Sequence, residues 1–400
     1  MIAEAERGPA AGLYLHIPFC ETRCPYCDFA IHLGDDQLHR PYVEAVVREL
    51  DFLAASGRPP GGLQTLYLGG GTPGLLAPPL LEQLLRAANR SFGLADGAEI
   101  TLEANPAGLS AARARGWIEL GFNRVSLGVQ SLDDQALRWL GRNHDGATAE
   151  AAIGALVQAG LENFSCDLIY AVPGQSTERF AAGLSRVLSL GPSHLSCYEL
   201  TVEPGTPLAR SVAAGRSRSP SEIDFAEQHR VARELAGEAG LVQYEVSNFA
   251  RPGRESRHNL GYWQGGHYLG AGCGAHGHLG VGAARRLAIE AEPSAVGVRY
   301  WNLRGATTYL RQVAARGDGR RGHESIAPEQ AEMERVACGL RLRAGVDLRD
   351  PAQLAGARRL GQLGLLTVAG NRVAATSRGV EVLDRITLEL VSSSRSPVLA

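Results

Sequence analysis

The stretch "HIPFCETRCPYCDFA", residues 16–30, places Cys20, Cys24 and Cys27 within eight positions of one another. Spacings of four and three would put the three thiols on one face of a helix. Pro25 argues against that helix, because a proline in a helix interior removes a hydrogen bond and clashes with the preceding turn, at a cost of about 3 kcal/mol. We therefore predict a loop whose thiols point inward at one metal or redox centre.

Two kinds of centre suit three clustered thiolates, which are soft ligands for zinc or for an iron–sulfur cluster. A structural zinc site takes four protein ligands, and His16 or His32 could supply the fourth. A four-iron cluster held by three thiolates keeps one iron free of protein ligands, and a small molecule can be activated at that iron. The residues alone leave both centres open.

Short apolar or β-branched runs recur along the first half of the chain, and amphipathic helical stretches such as 78–92 separate them. This alternation predicts a parallel sheet wrapped by helices. Each run ends in a distinctive polar or glycine-rich cluster, and sites in α/β barrels lie at the carboxyl ends of the strands. We therefore predict an α/β fold, a partial (β/α)6 barrel with one shared mouth. The six runs are residues 12–18, 65–71, 99–105, 124–130, 164–170 and 194–200.

The remaining sequence predicts smaller units around this barrel. The C-terminal residues read as arginine-rich helices followed by a helix, a two-stranded wing and a final helix, which is typical of a mainly helical, winged-helix-like domain. A glycine-rich connector, residues 265–282, precedes them. The predicted divisions are an N-terminal extension (1–11), the partial barrel (12–215), a connecting α/β region (216–300) and the C-terminal domain (301–400).

Composition excludes several classes of function. The formal net charge is −2, so no overall field favours nucleic acid or an anionic membrane. All 40 basic residues are arginine, which excludes lysine Schiff-base chemistry and the lysine-containing phosphate-binding loop. No apolar run is long enough to span a bilayer. Seven cysteines, an odd number with only three clustered, favour a reducing compartment, so we expect a cytoplasmic protein.

The C-x3-C-x2-C pattern after the first predicted strand, with the aromatic Tyr26 before the third cysteine, resembles the signature of radical S-adenosylmethionine proteins. The resemblance implies a 4Fe–4S cluster ligated by Cys20, Cys24 and Cys27. In that family the amino and carboxylate groups of S-adenosylmethionine chelate the open iron, and an electron passes from the cluster to the sulfonium. The expected products are methionine and a 5′-deoxyadenosyl radical.

Further residues match positions that bind S-adenosylmethionine in the branch related to oxygen-independent coproporphyrinogen III oxidase. The "LGGGTPG" loop corresponds to the one that presents backbone groups to the methionine ammonium. Taken singly, each polar residue beyond a strand end reads as a cap or a surface residue. Taken together, the resemblance implies that the cofactor is bound by Tyr14, Tyr26, Gly70, Gly71, Thr72, Glu103, Gln130, Arg142 and Asp167.

Two features distinguish branches within this family. Oxidase members have a further cysteine at the position of Phe29, so the oxidase activity is in doubt. "RHNLGYW", residues 257–263, matches the H-N-x-x-Y-W motif of the HemW heme chaperones. The imidazole of His258 suits an axial ligand of heme iron, and Tyr262 and Trp263 suit packing against a porphyrin face.

The resemblance implies a heme chaperone that binds heme at His258 and transfers it to apo-hemoproteins, with a possible homodimer gated by the cluster and S-adenosylmethionine. The alternative is a radical decarboxylase that converts coproporphyrinogen III to protoporphyrinogen IX. A third possibility is a winged-helix regulator that senses iron or redox state, with salt-dependent DNA affinity from the arginines of residues 341–378. We expect no nucleic-acid partner and treat Cys273 as a packing residue.

Overall fold

The structure is a computed structural model that describes residues 11–34 and 36–393. Apart from Ala11, the predicted N-terminal extension lies outside these residues. In chain order the strands are β1 (Gly12–Ile17), β2 (Phe19–Cys20), β3 (His32–Leu33), β4 (Leu63–Gly70), β5 (Leu94–Ala104), β6 (Arg124–Gln130), β7 (Phe164–Tyr170), β8 (His194–Glu199), β9 (Val242–Gln243), β10 (Asn248–Ala250), β11 (Tyr268–Ala271), β12 (His276–Leu279), β13 (Gly297–Asn302), β14 (Arg320–Ile326), β15 (Val346–Asp347), β16 (Leu366–Ala369) and β17 (Arg372–Ala375).

The helices cover the outer face of the main sheet and form most of the C-terminal domain. In chain order they are α1 (His39–Leu53), α2 (Pro78–Phe92), α3 (Ala111–Leu120), α4 (Asp134–Trp139), α5 (Gly146–Gln158), α6 (Thr177–Ser189), α7 (Pro207–Ala213), α8 (Glu222–Glu238), α9 (Arg257–Trp263), α10 (Val281–Arg286), α11 (Ala306–Arg316), α12 (Pro328–Arg341), α13 (Pro351–Gln362), α14 (Ser377–Val380) and α15 (Leu383–Ser393). Within the described part of the chain, none of them is long and apolar enough to cross a membrane.

The six predicted strands are neighbours in one parallel sheet, in the order β1-β4-β5-β6-β7-β8, which confirms the partial α/β barrel. Parallel strands need crossover connections, and the intervening helices supply them. Leu80, Leu81, Leu84 and Leu85 of α2 recur at helical spacing and are all buried. Burial of each leucine contributes about 2 kcal/mol to the free energy of unfolding. The apolar face of the helix therefore holds α2 against the sheet.

The main sheet extends beyond the prediction at both edges. The strands β11 to β14 continue it from β1, and β10 and β9 continue it from β8, giving twelve strands in all. The glycine-rich stretch expected to be a connector therefore carries β11 and β12. Its glycines permit close backbone contact: a Cβ at Gly270 would lie 1.9 Å from the carbonyl oxygen of His276.

The C-terminal domain has its own small core and a three-stranded sheet in the order β15-β17-β16. The predicted helix, wing and final helix correspond to α13, β16 with β17, and α15. The predicted boundary after residue 300 instead divides β13. Tyr300, Tyr309 and Val313 pack into the core of the main sheet, so we place the boundary between β14 and α12.

Candidate functional site

A cavity of about 490 Å³ opens at the carboxyl ends of the barrel strands. Side chains or backbone from the ends of β4, β5, β6 and β7 form its walls, together with the cysteine loop that follows β1. Eleven of the thirteen predicted site residues line it: Cys20, Cys24, Tyr26, Cys27, Gly70, Gly71, Thr72, Glu103, Gln130, Arg142 and Asp167. The structure thus brings the cysteine motif and the distant polar residues to one place.

The cysteine segment is a loop after the short strand β2, which ends at Cys20, and it is not a helix, as the proline predicted. The Cys27 backbone N–H donates to the Cys24 carbonyl at 3.2 Å, which closes a turn around Pro25. The Pro25 carbonyl accepts from the Leu208 N–H at 2.8 Å. On the other side Gly141 has a φ of 66°, and a Cβ there would lie 2.7 Å from Pro25 Cδ. The loop is therefore held in place from two neighbouring segments of the barrel mouth.

The thiols of Cys20 and Cys27 lie in an environment that disfavours free thiolates. Burial, with a smaller contribution from the neighbouring thiols of Cys27 and Cys24, raises the pKa of Cys20 to about 11, and a hydrogen bond with Thr72 opposes the rise. Burial likewise raises the pKa of Cys27. Arg142 Nη1 donates to Cys24 Sγ at 3.5 Å. Since metal binding requires thiolates and a metal centre supplies compensating positive charge, this trio fits a bound metal cluster.

The two histidines considered as a fourth zinc ligand have other partners. His16 Nδ1 lies 3.0 Å from Tyr14 Oη, and His16 Nε2 lies 2.8 Å from the Ala30 carbonyl oxygen. The His32 ring packs edge-on against Phe19. Among residues 11–34 and 36–393, no three cysteine, histidine or carboxylate side chains converge on one point as the ligands of a single ion do. A four-iron cluster takes each thiolate at a different iron.

The glycine loop after β4 lies directly against the start of the cysteine segment. Gly70 has a φ of 110°, and a Cβ there would lie 2.4 Å from the His16 ring. A Cβ at Gly71 would lie 2.6 Å from the carbonyl carbon of Pro18. The Gly71 N–H donates to the Ile17 carbonyl at 2.8 Å. Both positions therefore require glycine, for close approach and, at Gly70, also for the left-handed backbone.

The Glu103 carboxyl group lies beside this loop. Its Oε1 accepts from the Tyr67 hydroxyl at 2.7 Å and its Oε2 from the Gly70 N–H at 2.9 Å. Burial raises the pKa of Glu103 to about 7, and the nearby Asp167 contributes to the rise, whereas the two hydrogen bonds oppose it. A carboxyl group that titrates near neutrality inside a cavity suits a cationic partner such as an ammonium group.

Other predicted polar residues line the same cavity. Asp167 accepts a hydrogen bond from the Ser126 hydroxyl at 2.7 Å. Arg142 Nη2 donates to Asn105 Oδ1 and so extends across the ends of β5 and β6. Gln130 has a φ of 62°, an uncommon value for a residue other than glycine. Such backbone strain is concentrated at functional sites, and the binding role of Gln130 stays a prediction.

One lining residue was missed by the sequence analysis. Arg124 on β6 is only 1% exposed, and within the described residues its Nε has no hydrogen-bond partner. Its positive charge lowers the pKa values of Glu103 and Tyr67, which places the guanidinium among the acidic side chains of the cavity. The available signal was an arginine at the start of a strand that is otherwise free of charged residues.

Tyr14 and His258 lie below the cavity. Helix α9 closes the amino-terminal end of the barrel and places His258 inside it, stacked on Tyr67 at a centroid distance of 5.1 Å and on Tyr14 at 6.4 Å. His258 Nδ1 lies 2.8 Å from Thr65 Oγ1, and Nε2 lies 2.8 Å from Tyr262 Oη. Burial lowers the pKa of His258 to about 3. The imidazole is therefore neutral and both its nitrogens have partners.

Comparison with known proteins agrees with this geometry. The sequence profile of the Radical SAM superfamily matches residues 14–185. A Mycobacterium tuberculosis protein named heme chaperone HemW is 36% identical over 400 residues, covering 96% of this chain and 95% of that protein. The Escherichia coli protein of the same name is 41% identical over 274 residues, covering 68% and 71%.

Among solved structures, coproporphyrinogen III oxidase (HemN) from Escherichia coli, described as a radical SAM enzyme, superposes with a TM-score of 0.78 at 22% identity. The match covers 97% of this chain and 92% of that one. At this identity the likeness establishes the shared fold, including the C-terminal domain. The relatives that are similar in sequence show which family within the superfamily the chain belongs to. The chain belongs to the HemW family of the radical SAM superfamily.

Proposed function

We propose that this protein is a heme chaperone that binds heme and transfers it to apo-hemoproteins in the cytoplasm, with a 4Fe–4S cluster and S-adenosylmethionine as cofactors. The observation that carries the proposal is the joint cavity at the barrel mouth, which the three cysteines line together with Glu103, Arg142 and Asp167. The names of the Mycobacterium tuberculosis and Escherichia coli relatives support the heme-transfer part. All seven cysteines are free, which suits a reducing compartment.

The residues of this cavity fit both cofactors. Cys20, Cys24 and Cys27 would hold three irons of the cluster, and the bound cluster would supply an electron to the sulfonium of S-adenosylmethionine. Glu103 would pair with the ammonium group of the cofactor, and Arg142 would bind its carboxylate. Tyr26, Gly70, Gly71, Thr72, Gln130 and Asp167 would complete the binding surface, and Tyr14 would support it from below.

A second candidate function is the coproporphyrinogen III oxidase reaction, which the close likeness to the HemN fold favours. Phe29 argues against it. This side chain lies at the rim of the cavity, 58% exposed, at the position where the oxidases carry a further cysteine. A phenylalanine cannot act as a thiol ligand or donor, so we rank the chaperone function first.

Heme ligation by His258 is the part of the proposal that requires movement. In the structure the ring is buried and Nε2 is bonded to Tyr262. A porphyrin would reach His258 once α9 withdraws from the barrel end, which would also release Tyr262 and Trp263 toward the porphyrin face. A short helix of seven residues that plugs the end of a barrel is suited to such movement. The proposal also includes a homodimer. The cluster and S-adenosylmethionine would gate either the assembly of this dimer or the release of heme.

The experiment uses anaerobically reconstituted protein. We expect a Soret band to develop on titration with heme, and we expect the heme to pass to an apo-hemoprotein that is added afterwards. The same sample is incubated with coproporphyrinogen III, S-adenosylmethionine and a reductant. Formation of protoporphyrinogen IX at a catalytic rate would overturn the chaperone proposal in favour of the oxidase.

A further inference from the structure

A second cavity, of about 630 Å³, lies between the barrel and the C-terminal domain. Its walls come from α8 and the β9–β10 hairpin on the barrel side, and from the end of α12, β16, β17 and α14 on the other. The two sides are joined by backbone pairing between Glu245 and Leu342. A cavity of this volume at a domain boundary is within the usual range for a small molecule or cofactor.

Arginine side chains in this cavity have donors without acceptors. Within the described residues, Arg233 Nε and Nη1 are buried and have no hydrogen-bond partner, and the same holds for Arg341 Nε. Buried donors are nearly always satisfied in folded proteins. A guanidinium is suited to binding a carboxylate through two parallel hydrogen bonds. The unsatisfied donors therefore indicate that the cavity takes a ligand with carboxylate groups.

The acidic residues of the same cavity only partly offset this charge. Glu245 Oε2 lies 3.8 Å from Arg341 Nη2, and the other oxygen of this carboxylate accepts from Asn248. Glu234 pairs with Arg230 at 3.0 Å. Arg233 has no acidic partner at ion-pair distance among the described residues, and the exposed Arg343 adds a further positive charge at the wall.

Apolar side chains form a large part of the remaining wall, and Gln243, Thr367, Thr376 and Ser377 add uncharged polar groups. The apolar contributions come from Leu241, Val246, Phe249, Leu340 and Val380. A ligand that matches both properties is a flat apolar ring system with carboxylates at one edge. We propose that this cavity is a docking site for the porphyrin of heme, held by its propionate carboxylates on Arg233 and Arg341. The inference rests on the proposed heme-chaperone function. It gives heme a binding site that does not include His258.

The cavity offers no ligand for the iron. None of the described residues that line it is histidine, cysteine, methionine or tyrosine. Docking here depends on the porphyrin ring and its carboxylates, so metal-free protoporphyrin IX should bind as heme does. Arg341 also covers the Trp263 ring at 4.6 Å, and Trp263 ends α9. A carboxylate that draws Arg341 into the cavity would loosen this contact with the helix that carries His258.

The test is a titration of the full-length chain, with and without its reconstituted cluster, with protoporphyrin IX and with its neutral dimethyl ester. We expect protoporphyrin IX to bind with an affinity within about tenfold of that of heme, and we expect the ester to bind at least about tenfold more weakly. Arg233→Met should weaken protoporphyrin binding by about tenfold or more. Arg358→Met is the control, since it removes the charge of an exposed arginine on α13 that does not line the cavity, and it should change the affinity less than about twofold.

The outcomes separate the inference from the function on which it rests. Binding of heme without binding of protoporphyrin IX would overturn the docking site and leave the chaperone proposal standing. An unchanged affinity in Arg233→Met, in a variant whose Tm matches that of the wild type, would overturn it as well. Failure of the wild type to bind heme at all would contradict the proposed function itself.

Discussion

The Glu103 carboxyl group and the Gly70 backbone N–H are joined by a hydrogen bond of 2.9 Å between the ends of β5 and β4. The bond fixes the glycine loop against the acidic wall of the cavity. Burial raises the pKa of this carboxyl group to about 7, although the bond itself opposes the rise. The affinity for a cationic ligand in this cavity should therefore depend on pH near neutrality.

Glu103→Gln should change the pH dependence of stability. The folded-state pKa of Glu103 lies above its usual value of 4.5, so the native state holds a proton that the unfolded chain releases between about pH 4.5 and about pH 7. Stability contributed by this group is present at low pH and is lost as pH rises through that window. The free energy of unfolding of the variant, relative to wild type, should rise by about 2 kcal/mol between pH ~5 and pH ~8. Denaturant melts at both pH values measure it, and a constant difference would contradict the raised pKa.

The same substitution should weaken binding of S-adenosylmethionine. The ionised carboxylate is the form that pairs with an ammonium group, so wild-type affinity should increase by up to about tenfold from pH ~6 to pH ~8, with proton release at the lower pH. Glu103→Gln should bind more weakly and lose this dependence. Calorimetric titration of the reconstituted protein in two buffers of different ionisation enthalpy detects the released proton. A variant that keeps the wild-type pH profile would exclude Glu103 from the ammonium site.

Gly70→Ala should destabilise the protein beyond the cost of backbone strain. A Cβ at this position would lie 2.4 Å from the His16 ring, and His16 supports the cysteine loop through the Ala30 carbonyl. Gly97 provides the matched control, because it has a φ of 69° and a Cβ there would meet no other atom within 4 Å among the described residues. We expect Gly97→Ala to cost about 1 kcal/mol and Gly70→Ala about 3 kcal/mol or more. Equal losses of unfolding free energy in denaturant melts would mean that the contact with His16 adds nothing to the cost of the substitution at Gly70.

Glu49→Gln tests the buried carboxylate that ties α1 to the second half of the chain. Glu49 accepts hydrogen bonds from the Gly272 and Gly319 N–H groups, from Tyr309 and from Asn302, at 2.6–2.9 Å. An amide would place its own N–H against these donors. We expect a loss of about 3 kcal/mol in unfolding free energy. The exposed neighbour Glu44 on the same helix gives the control, Glu44→Gln, which should stay within about 0.5 kcal/mol.

These contacts show how far the sequence could predict the structure. The six barrel strands and α2 followed from periodicity, because each buries a regular apolar face. The strands β11 and β12 were missed because they are rich in glycine and histidine, which have low strand propensity. Tertiary contacts determine the strand conformation of this segment. A Cβ at Gly277 would lie 2.2 Å from the Tyr300 ring, a neighbour 23 residues away along the chain. The cysteine motif lies within one short stretch and could be recognised from the sequence. The burial of Arg124 and Glu49 could not, because it depends on contacts with residues that are distant in sequence.

Substitutions of His258 and of Tyr262 should change heme binding in opposite directions. If α9 withdraws and His258 ligates iron, Tyr262→Phe removes the partner of Nε2 and should increase heme affinity by about fivefold to tenfold. His258→Ala should remove the spectrum of histidine-ligated heme. Soret titrations of the two variants and the wild type measure both effects. A histidine-ligated spectrum that survives in His258→Ala would assign the ligand to another residue.

The proposed function depends above all on the loop of Cys20, Cys24 and Cys27, which would hold a four-iron cluster with one iron open to S-adenosylmethionine. The decisive experiment determines the iron and sulfide content of anaerobically reconstituted protein, together with the electron paramagnetic resonance spectrum of the reduced sample before and after S-adenosylmethionine is added. We predict about four irons and four sulfides per chain, a spectrum that changes with the cofactor, and loss of both in Cys24→Ser. One tetrahedral zinc per chain, without iron or sulfide, would contradict this prediction and the function built on it.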